Sequence, residues 1–306
     1  MYFGSVRFFK HLILSTVALM IIIPTVLAVY FGVHNHRSKL LAEHYRKQID
    51  SAQLPKLEHL DGVDYENVIT VPSYEYQTAY PDLYVERAAF AQPDTDRPVI
   101  YLTFDDGPSA NTAQVLDTLK ANGIKATFFV VNSDLDGSED LYRRIVNEGH
   151  TIGIHTYSHR YTDIYSSVDS YLADFEKMFT KVYEITGVKP DIFRFPGGSI
   201  NVYNQDMYME LIAEMLRRGF TYYDWNVASG DAGQTFTAQQ IENAVVQGVG
   251  NKSRSIVLLH DSSTKQATVA SLQNIIDHFK GTHEFMALDN TVQPAVFTYK
   301  DNNIGD

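Results

Sequence analysis

The chain has 306 residues, 44% of them hydrophobic and 20% charged, with 18 glycines and 10 prolines, a composition that excludes a disordered chain, a collagen-like repeat and a polytopic membrane protein. It contains no cysteine, so disulfides, thiolate metal sites and a thiol nucleophile are absent and any metal must rest on His and carboxylates. The net charge of -12 is uneven: residues 1–60 carry seven Lys/Arg against three Asp/Glu and the rest 18 against 34, an acidic body that argues against nucleic acid as a partner because counterion release needs a basic face.

In chain order, the first element is an uncharged run of 22 residues at 12–33. At ~1.5 Å per residue a helix of this length reaches about 33 Å, enough to cross a bilayer core. The run exceeds the roughly 7–15 apolar residues of a cleaved signal peptide. Val26 and Ala28 nevertheless stand where cleavage would be possible. The expectation is a tail and retained transmembrane anchor over 1–36. Arg37, Lys39, Arg46 and Lys47 outnumber Arg7 and Lys10 on the other flank, and positive-inside counting would keep the body in the cytoplasm. That rule is weak for one short tail against one large domain, so orientation is left to the chemistry of the body. Residues 37–96 are polar, lack periodicity and are broken by Pro55, Pro72, Pro81 and Pro93; they read as a stalk.

From 97 the pattern changes to short apolar runs alternating with helical stretches. Strands are expected at 99–104, 125–131, 151–154, 191–195, 220–225, 255–259 and 285–288, and helices at 111–122, 138–148, 167–186, 204–218, 237–248 and 265–280. Gly123, Gly149, Gly187, Gly219 and Gly281 fall just past the helix ends, where a left-handed cap favours glycine. Seven strands alternating with helices imply an α/β body over 97–290 with a mainly parallel sheet, open or closed into a barrel, followed by a C-terminal tail at 291–306.

Asp105 and Asp106 follow the first strand, His155 the third and His260 the sixth, and Arg194 lies in the end of the fourth. All stand at the carboxyl ends of expected parallel strands, the edge on which such sheets assemble their sites. Taken singly, the Asp pair reads equally well as a helix-entry turn, and the His pair as two surface residues. An aspartyl-phosphate site would need Asp-x-Asp, and Phe104 occupies the required position. His155 and His159, four apart, would share a face on a helical turn. With a strand-end carboxylate they make an Asp-His-His set, which leaves a coordination position open for water.

The segments TFDDGP (103–108), HTYSH (155–159), RFPGG (194–198), WNVASGDA (225–232) and LLH (258–260) have the order and spacing of the polysaccharide deacetylases. The chain resembles that family, also called the NodB homology domain or carbohydrate esterase family 4, over about residues 97–290. The resemblance implies a distorted (β/α) barrel that removes N-acetyl, sometimes O-acetyl, groups from sugar polymers with one divalent metal ion. Zinc is the first expectation, and cobalt, nickel or manganese suit the same donors. By position, the resemblance makes Asp106, His155 and His159 the metal ligands and Asp105 the general base toward water. Arg194 would hold Asp105 ionised, His260 would be the general acid, and Asp231 would pair with His260 and raise its pKa. The Gly197 N–H would be the oxyanion donor. Leu258 would line the acetyl pocket, with core packing an equal reading. Trp225 is open between groove wall and barrel core, and Tyr157, with Tyr161, lies where a sugar ring could stack.

Two motifs depart from the family pattern. Gly197 stands where a Tyr is frequent, and Ala228 and Ala232 replace a frequent Asp and Trp, which removes part of a groove wall. Anchor, stalk and acetyl hydrolase together lead to the expectation of a single-pass membrane protein with its catalytic body outside. Its partner would be an N-acetylated cell-envelope glycan, with peptidoglycan N-acetylglucosamine as substrate. The alternatives are an O-acetyl esterase of the acetyl xylan type and a non-catalytic glycan-binding module. The intact acid–base set argues against the second.

Overall fold

The computed structural model describes residues 74–233 and 236–298. The expected anchor at 1–36, residues 37–73 of the stalk and residues 299–306 lie outside them. Among the described residues no helix is long and apolar enough to cross a membrane.

Eight strands form one sheet: β1 (Val99–Asp105), β2 (Thr127–Val130), β3 (Thr151–Ile154), β4 (Ile192–Phe193), β5 (Thr221–Tyr222), β6 (Val227–Ala228), β7 (Arg254–His260) and β8 (Glu284–Phe285). Seven follow the spatial order β5-β4-β3-β2-β1-β7-β6, and β8 lies beside the first two residues of β1. Every pairing is parallel. Among the described residues β5 and β6 end the path without pairing, so the sheet is a curled half-barrel.

The helices are α1 (Glu75–Thr78), α2 (Ala110–Asn122), α3 (Ser138–Asn147), α4 (Tyr161–Ile164), α5 (Val168–Thr186), α6 (Tyr208–Arg217), α7 (Ala238–Val249) and α8 (Gln266–Phe279). Ser109, Ser167 and Thr237 start α2, α5 and α7 by accepting a hydrogen bond from a backbone N–H of the first turn. The five glycines expected past helix ends all have positive φ.

Strand alternation divides the core into two layers. Ile100, Leu102 and Phe104 of β1, with Phe128 and Val130 of β2 and Val257 and Leu259 of β7, face outward into the layer shared with the helices. Val99, Tyr101, Phe129, Ile192, Tyr223 and Ile256 face inward and pack on Leu288 and Val292. At roughly 1.5–3 kcal/mol for each large apolar side chain buried, a one-residue slip of β1 would be prohibitive, because it would exchange the two sets. The alternation therefore fixes where β1 delivers Thr103 and Asp105, on the inner face above Val99 and Tyr101.

Three expectations change. The expected strand at 220–225 pairs only over β5, after which the chain crosses to the far edge and adds β6. Two residues are too short for β6 to show a period in the sequence. The stalk does not extend to 96: Leu83 is buried, and the Val85 N–H donates to the carbonyl of Arg218. The tail does not begin at 291. Val292 bridges to Ala91, the Tyr223 hydroxyl donates to Asp289 and Val292 carbonyls, and the Asp224 N–H donates to Ala295.

Candidate active site

The inner-face residues reach the carboxyl end of the sheet as a polar cluster. Asp105 and His260 are register partners on adjacent strands. Arg194 follows β4, and His155 follows β3. Asp106 has turned out of the strand at φ 71.

The Oδ1 atom of Asp106 lies 3.2 Å from His159 Nε2 and 3.5 Å from His155 Nε2. The three side chains place a ligand atom each within 4.8 Å of one another. Asp106 Oδ1 is buried and has no hydrogen-bond donor. A buried carboxylate oxygen left without a donor carries a large desolvation cost, which a cation would relieve. His155 Nδ1 is committed to the carbonyl of Arg194 at 2.8 Å, which leaves Nε2 for the shared position. Burial lowers the His155 pKa to about 4 against the opposing charges of Asp105 and Asp106, so its imidazole is neutral, as ligation requires. Burial opposes the charge on Asp106, but His155 and His159 bring its pKa below the ordinary carboxylate value. The donor set fits one divalent cation.

The two imidazoles do not share a helical turn, contrary to expectation. Residues 155–160 form a loop, and α4 begins only at Tyr161. Thr156 has φ 132 and His159 φ 52, so with Asp106 three non-glycine residues at the site occupy sparsely populated backbone conformations. Asp174 of α5 holds the loop, accepting the N–H groups of Tyr157 at 2.7 Å and Ser158 at 3.1 Å.

Arg194 is fully buried and places its fork by contacts from β1, β2 and the segment that follows β5. Nη1 donates to Asp105 Oδ1 at 2.9 Å and to Thr103 Oγ1 at 2.7 Å. Nε donates to the Tyr223 carbonyl at 2.8 Å, and Nη2 to the Asp224 carbonyl at 3.2 Å. The guanidinium lies over the Phe129 ring, 4.4 Å from its centroid. Asp105 is thereby fixed with one oxygen paired, and its other oxygen lies 3.9 Å from His155 Nε2.

Across the β1–β7 ladder, His260 Nδ1 is 2.8 Å from Asp231 Oδ1, and the His260 N–H donates to Asp231 Oδ2 at 2.9 Å. Ser229 and Thr268 hydroxyls donate to the same carboxylate, each at 2.7 Å. Burial would lower the His260 pKa. The hydrogen bond and charge of Asp231, with Asp105 and Asp106 beyond, outweigh it and raise the value to about 9. His260 is an imidazolium at neutral pH.

The remaining expected residues fall as follows. Leu258 is two residues before His260 on the same face of β7, paired with exposed Ala228 of β6. Gly197 is exposed with φ 75, and its N–H has no acceptor among the described residues. Trp225 is half-buried against Phe297 and the inner layer and lies 5.7 Å from the Arg194 guanidinium. Tyr157 is half-buried against the outer layer. The ring that meets the imidazole of His159 is Tyr161, at 5.3 Å and nearly perpendicular.

Thr103, Asp174, Ser229 and Thr268 have no sequence signal of their own. Asp261 had one, since it adjoins His260. It is buried and accepts from Thr112, and burial raises its pKa to about 7 with the charges of Asp105 and Asp106 adding to the rise.

The pattern that defines the polysaccharide deacetylases matches residues 92–218. YheN of Bacillus subtilis, a protein named for that family, is 33% identical over 222 residues, covering 70% of this chain and 75% of its own length. The chain belongs to the polysaccharide deacetylase family. A peptidoglycan-N-acetylglucosamine deacetylase of Bacillus cereus is 29% identical over 216 residues, which cover 68% of this chain and 76% of that protein. The catalytic domain of a peptidoglycan N-acetylglucosamine deacetylase from Eubacterium rectale superposes with a TM-score of 0.65 at 35% identity, over 69% of this chain and 96% of that one. The half-barrel is thus a family architecture.

Proposed function

We propose that this deacetylase hydrolyses N-acetyl groups of an envelope polysaccharide, with peptidoglycan N-acetylglucosamine as its substrate, releasing acetate and leaving the free amine. The observation that carries the reading is the donorless, buried Asp106 oxygen between two imidazole nitrogens, facing a protonated His260 across the Asp105–His260 register pair. The peptidoglycan-directed names of the relatives support the choice of polymer.

When bound by Asp106, His155 and His159, a divalent cation supplies Lewis acidity toward the acetyl carbonyl and acidifies the attacking water. Asp105, held by Arg194, accepts the proton of that water as its oxygen bonds to the acetyl carbon. The Gly197 N–H donates to the oxyanion that develops. His260 gives its proton to the amide nitrogen as the C–N bond breaks, and Asp231 stabilises the imidazolium beforehand. Leu258 lines the space for the acetyl methyl. Two imidazoles and one carboxylate suit zinc, and cobalt, nickel or manganese as well.

The same reading has residues 12–33 anchor the chain in the membrane with the body on the outer side, where the polymer lies. The length of that apolar run is the support for it.

The test is acetate release from N-acetylated peptidoglycan fragments, with acetylated xylan as the esterase control. Chelator should abolish release, and zinc should restore it. Release undiminished after complete chelation would refute the role of the Asp106 cluster, and release from xylan alone would assign the chemistry to esters.

A further inference from the structure

Gly197 leaves its position in the third motif without a side chain, and the Tyr161 ring lies against the space a side chain would take. A Cβ at Gly197 would lie 2.9 Å from Tyr161 Cε1 and 3.2 Å from its hydroxyl oxygen, in a backbone conformation, φ 75, that side chains rarely adopt. The Tyr161 ring comes instead from the first residue of α4, directly after the loop that carries His159. It stands edge-on to the His159 imidazole at 5.3 Å and meets the Tyr203 ring at 5.0 Å. Three rings thus run outward from the candidate metal centre, and the last is at the surface: Tyr203 is 53% exposed and its neighbour Val202 is 76% exposed.

The loop that carries Tyr203 is built onto the segment around Gly197. Asn201 Nδ2 donates to the carbonyls of Pro196 and Gly198, both at 3.1 Å, and its Oδ1 accepts the Tyr203 N–H at 2.9 Å. Asn204 is fully buried; its Oδ1 accepts the Asn201 N–H at 2.9 Å and its Nδ2 donates to the Ser199 carbonyl at 3.1 Å. Tyr165 adds a hydroxyl donated to the same Pro196 carbonyl at 2.7 Å. An exposed aromatic ring fixed this firmly beside a reaction centre loses little entropy on meeting a flat apolar ligand face. A pyranose with equatorial substituents offers such a face through its axial C–H groups.

We propose that Tyr203, backed by Tyr161, is a stacking platform for a sugar ring next to the one that is deacetylated. The pair occupies the space that position 197, a glycine, leaves without a side chain, and it makes the enzyme select for polymer length. This rests on the deacetylase reading, and it adds a subsite and a specificity determinant to it.

The test uses the full-length chain with N-acetylglucosamine oligomers of two to five residues, following acetate release and, separately, oligomer binding by calorimetry. Tyr203→Ala should raise KM and Kd for the four- and five-residue oligomers about fivefold, the size of one lost ring-stacking contact. It should leave kcat unchanged and the dimer nearly unaffected, and Tyr203→Phe should behave as the parent. Equal KM and Kd for parent and Tyr203→Ala at every length would overturn the platform. A uniform loss of kcat at all lengths would also overturn it, by showing a structural role. A parent that binds the oligomers but releases no acetate would refute the deacetylase reading instead, and the length dependence of Kd would then judge the platform alone. A parent that neither binds nor reacts would refute both.

Discussion

Asp105 and Asp106 are chemically identical neighbours given different surroundings. Asp106 turns toward two imidazoles, whereas Asp105 stays in the ladder and is held by Arg194. Asp105→Asn should therefore leave metal content at parent level and lower kcat by about 10²–10⁴-fold, the usual contribution of a general base. Metal analysis of the purified variant checks this, and loss of the ion would exchange the two roles. His260 allows a signed pH prediction. Its pKa is raised from 6.5 to about 9, so folding favours the imidazolium; its stabilisation is complete below pH 6.5 and is lost as pH rises through 9. Activity that needs the imidazolium falls over the same upper limb. In Asp231→Asn, burial acts without the compensating charge, so the alkaline limb of the kcat profile should move to lower pH. An unmoved limb would dissociate His260 from proton transfer. These residues were legible in the sequence because several of them gather on one edge of the expected sheet and stand in motifs that match the family in order and spacing. Ser229 and Thr268 were not, since a hydroxyl becomes a carboxylate's partner only through a contact across the fold.

At the level of elements, the site depends on the inner layer beneath it. The Phe129 ring supports the Arg194 guanidinium from below, and it has room because position 153 on β3 is glycine. A Cβ there would lie 2.7 Å from Phe129 Cδ1 and 3.0 Å from the Ile192 carbonyl oxygen. Gly153→Ala should push the ring against Arg194 and release Asp105 from its setting. The expected outcome is a loss of about 1–3 kcal/mol of stability, as for overpacking elsewhere, with a lower kcat at unchanged metal content; thermal melts and steady-state kinetics check both. The sequence supports reading β1, β2, β3 and β7 because their runs are long or bounded by helix signals. β6 escaped because two residues have no period. The His-x-x-x-His spacing was read as a helical turn although Thr156 and His159 take positive φ, in a loop held by Asp174 of α5 and by the Asn132 N–H donated to the Tyr157 carbonyl. Spacing identifies the donors, and the tertiary contact decides the backbone that delivers them.

For the whole molecule, the boundary of the body differs most from the sequence reading. Four prolines and the absence of periodicity suggested a stalk up to residue 96, yet from residue 74 the chain is docked on α6 through its backbone. Arg218 is fully buried; Nη2 donates to the carbonyls of Tyr76 and Ala79, Nη1 to those of Tyr80 and Leu83, and Nε to Glu214. Much of this docking runs through backbone carbonyls, which leave no hydropathy pattern, and the side chains that join in, Leu83 with Tyr76, Tyr80 and Tyr84, are too scattered to show a period. Arg218→Ala would leave four carbonyls of the arm without their buried donor and undock the arm, with Glu214 still paired to Arg217. Its cost should be about 1–3 kcal/mol, read as a lower denaturation midpoint. A cost below ~1 kcal/mol, the range of surface pairs, would refute the lock. The clamp also has a mechanical consequence that pulling can test. Tension applied at residue 74 meets the guanidinium clamp before it reaches β1, on the helical exterior and away from the catalytic rim. In single-molecule pulling between residue 74 and the C-terminus, a small first rupture should peel off the arm and leave turnover intact. Simultaneous loss of arm and activity would show that the load reaches the metal ligands undamped.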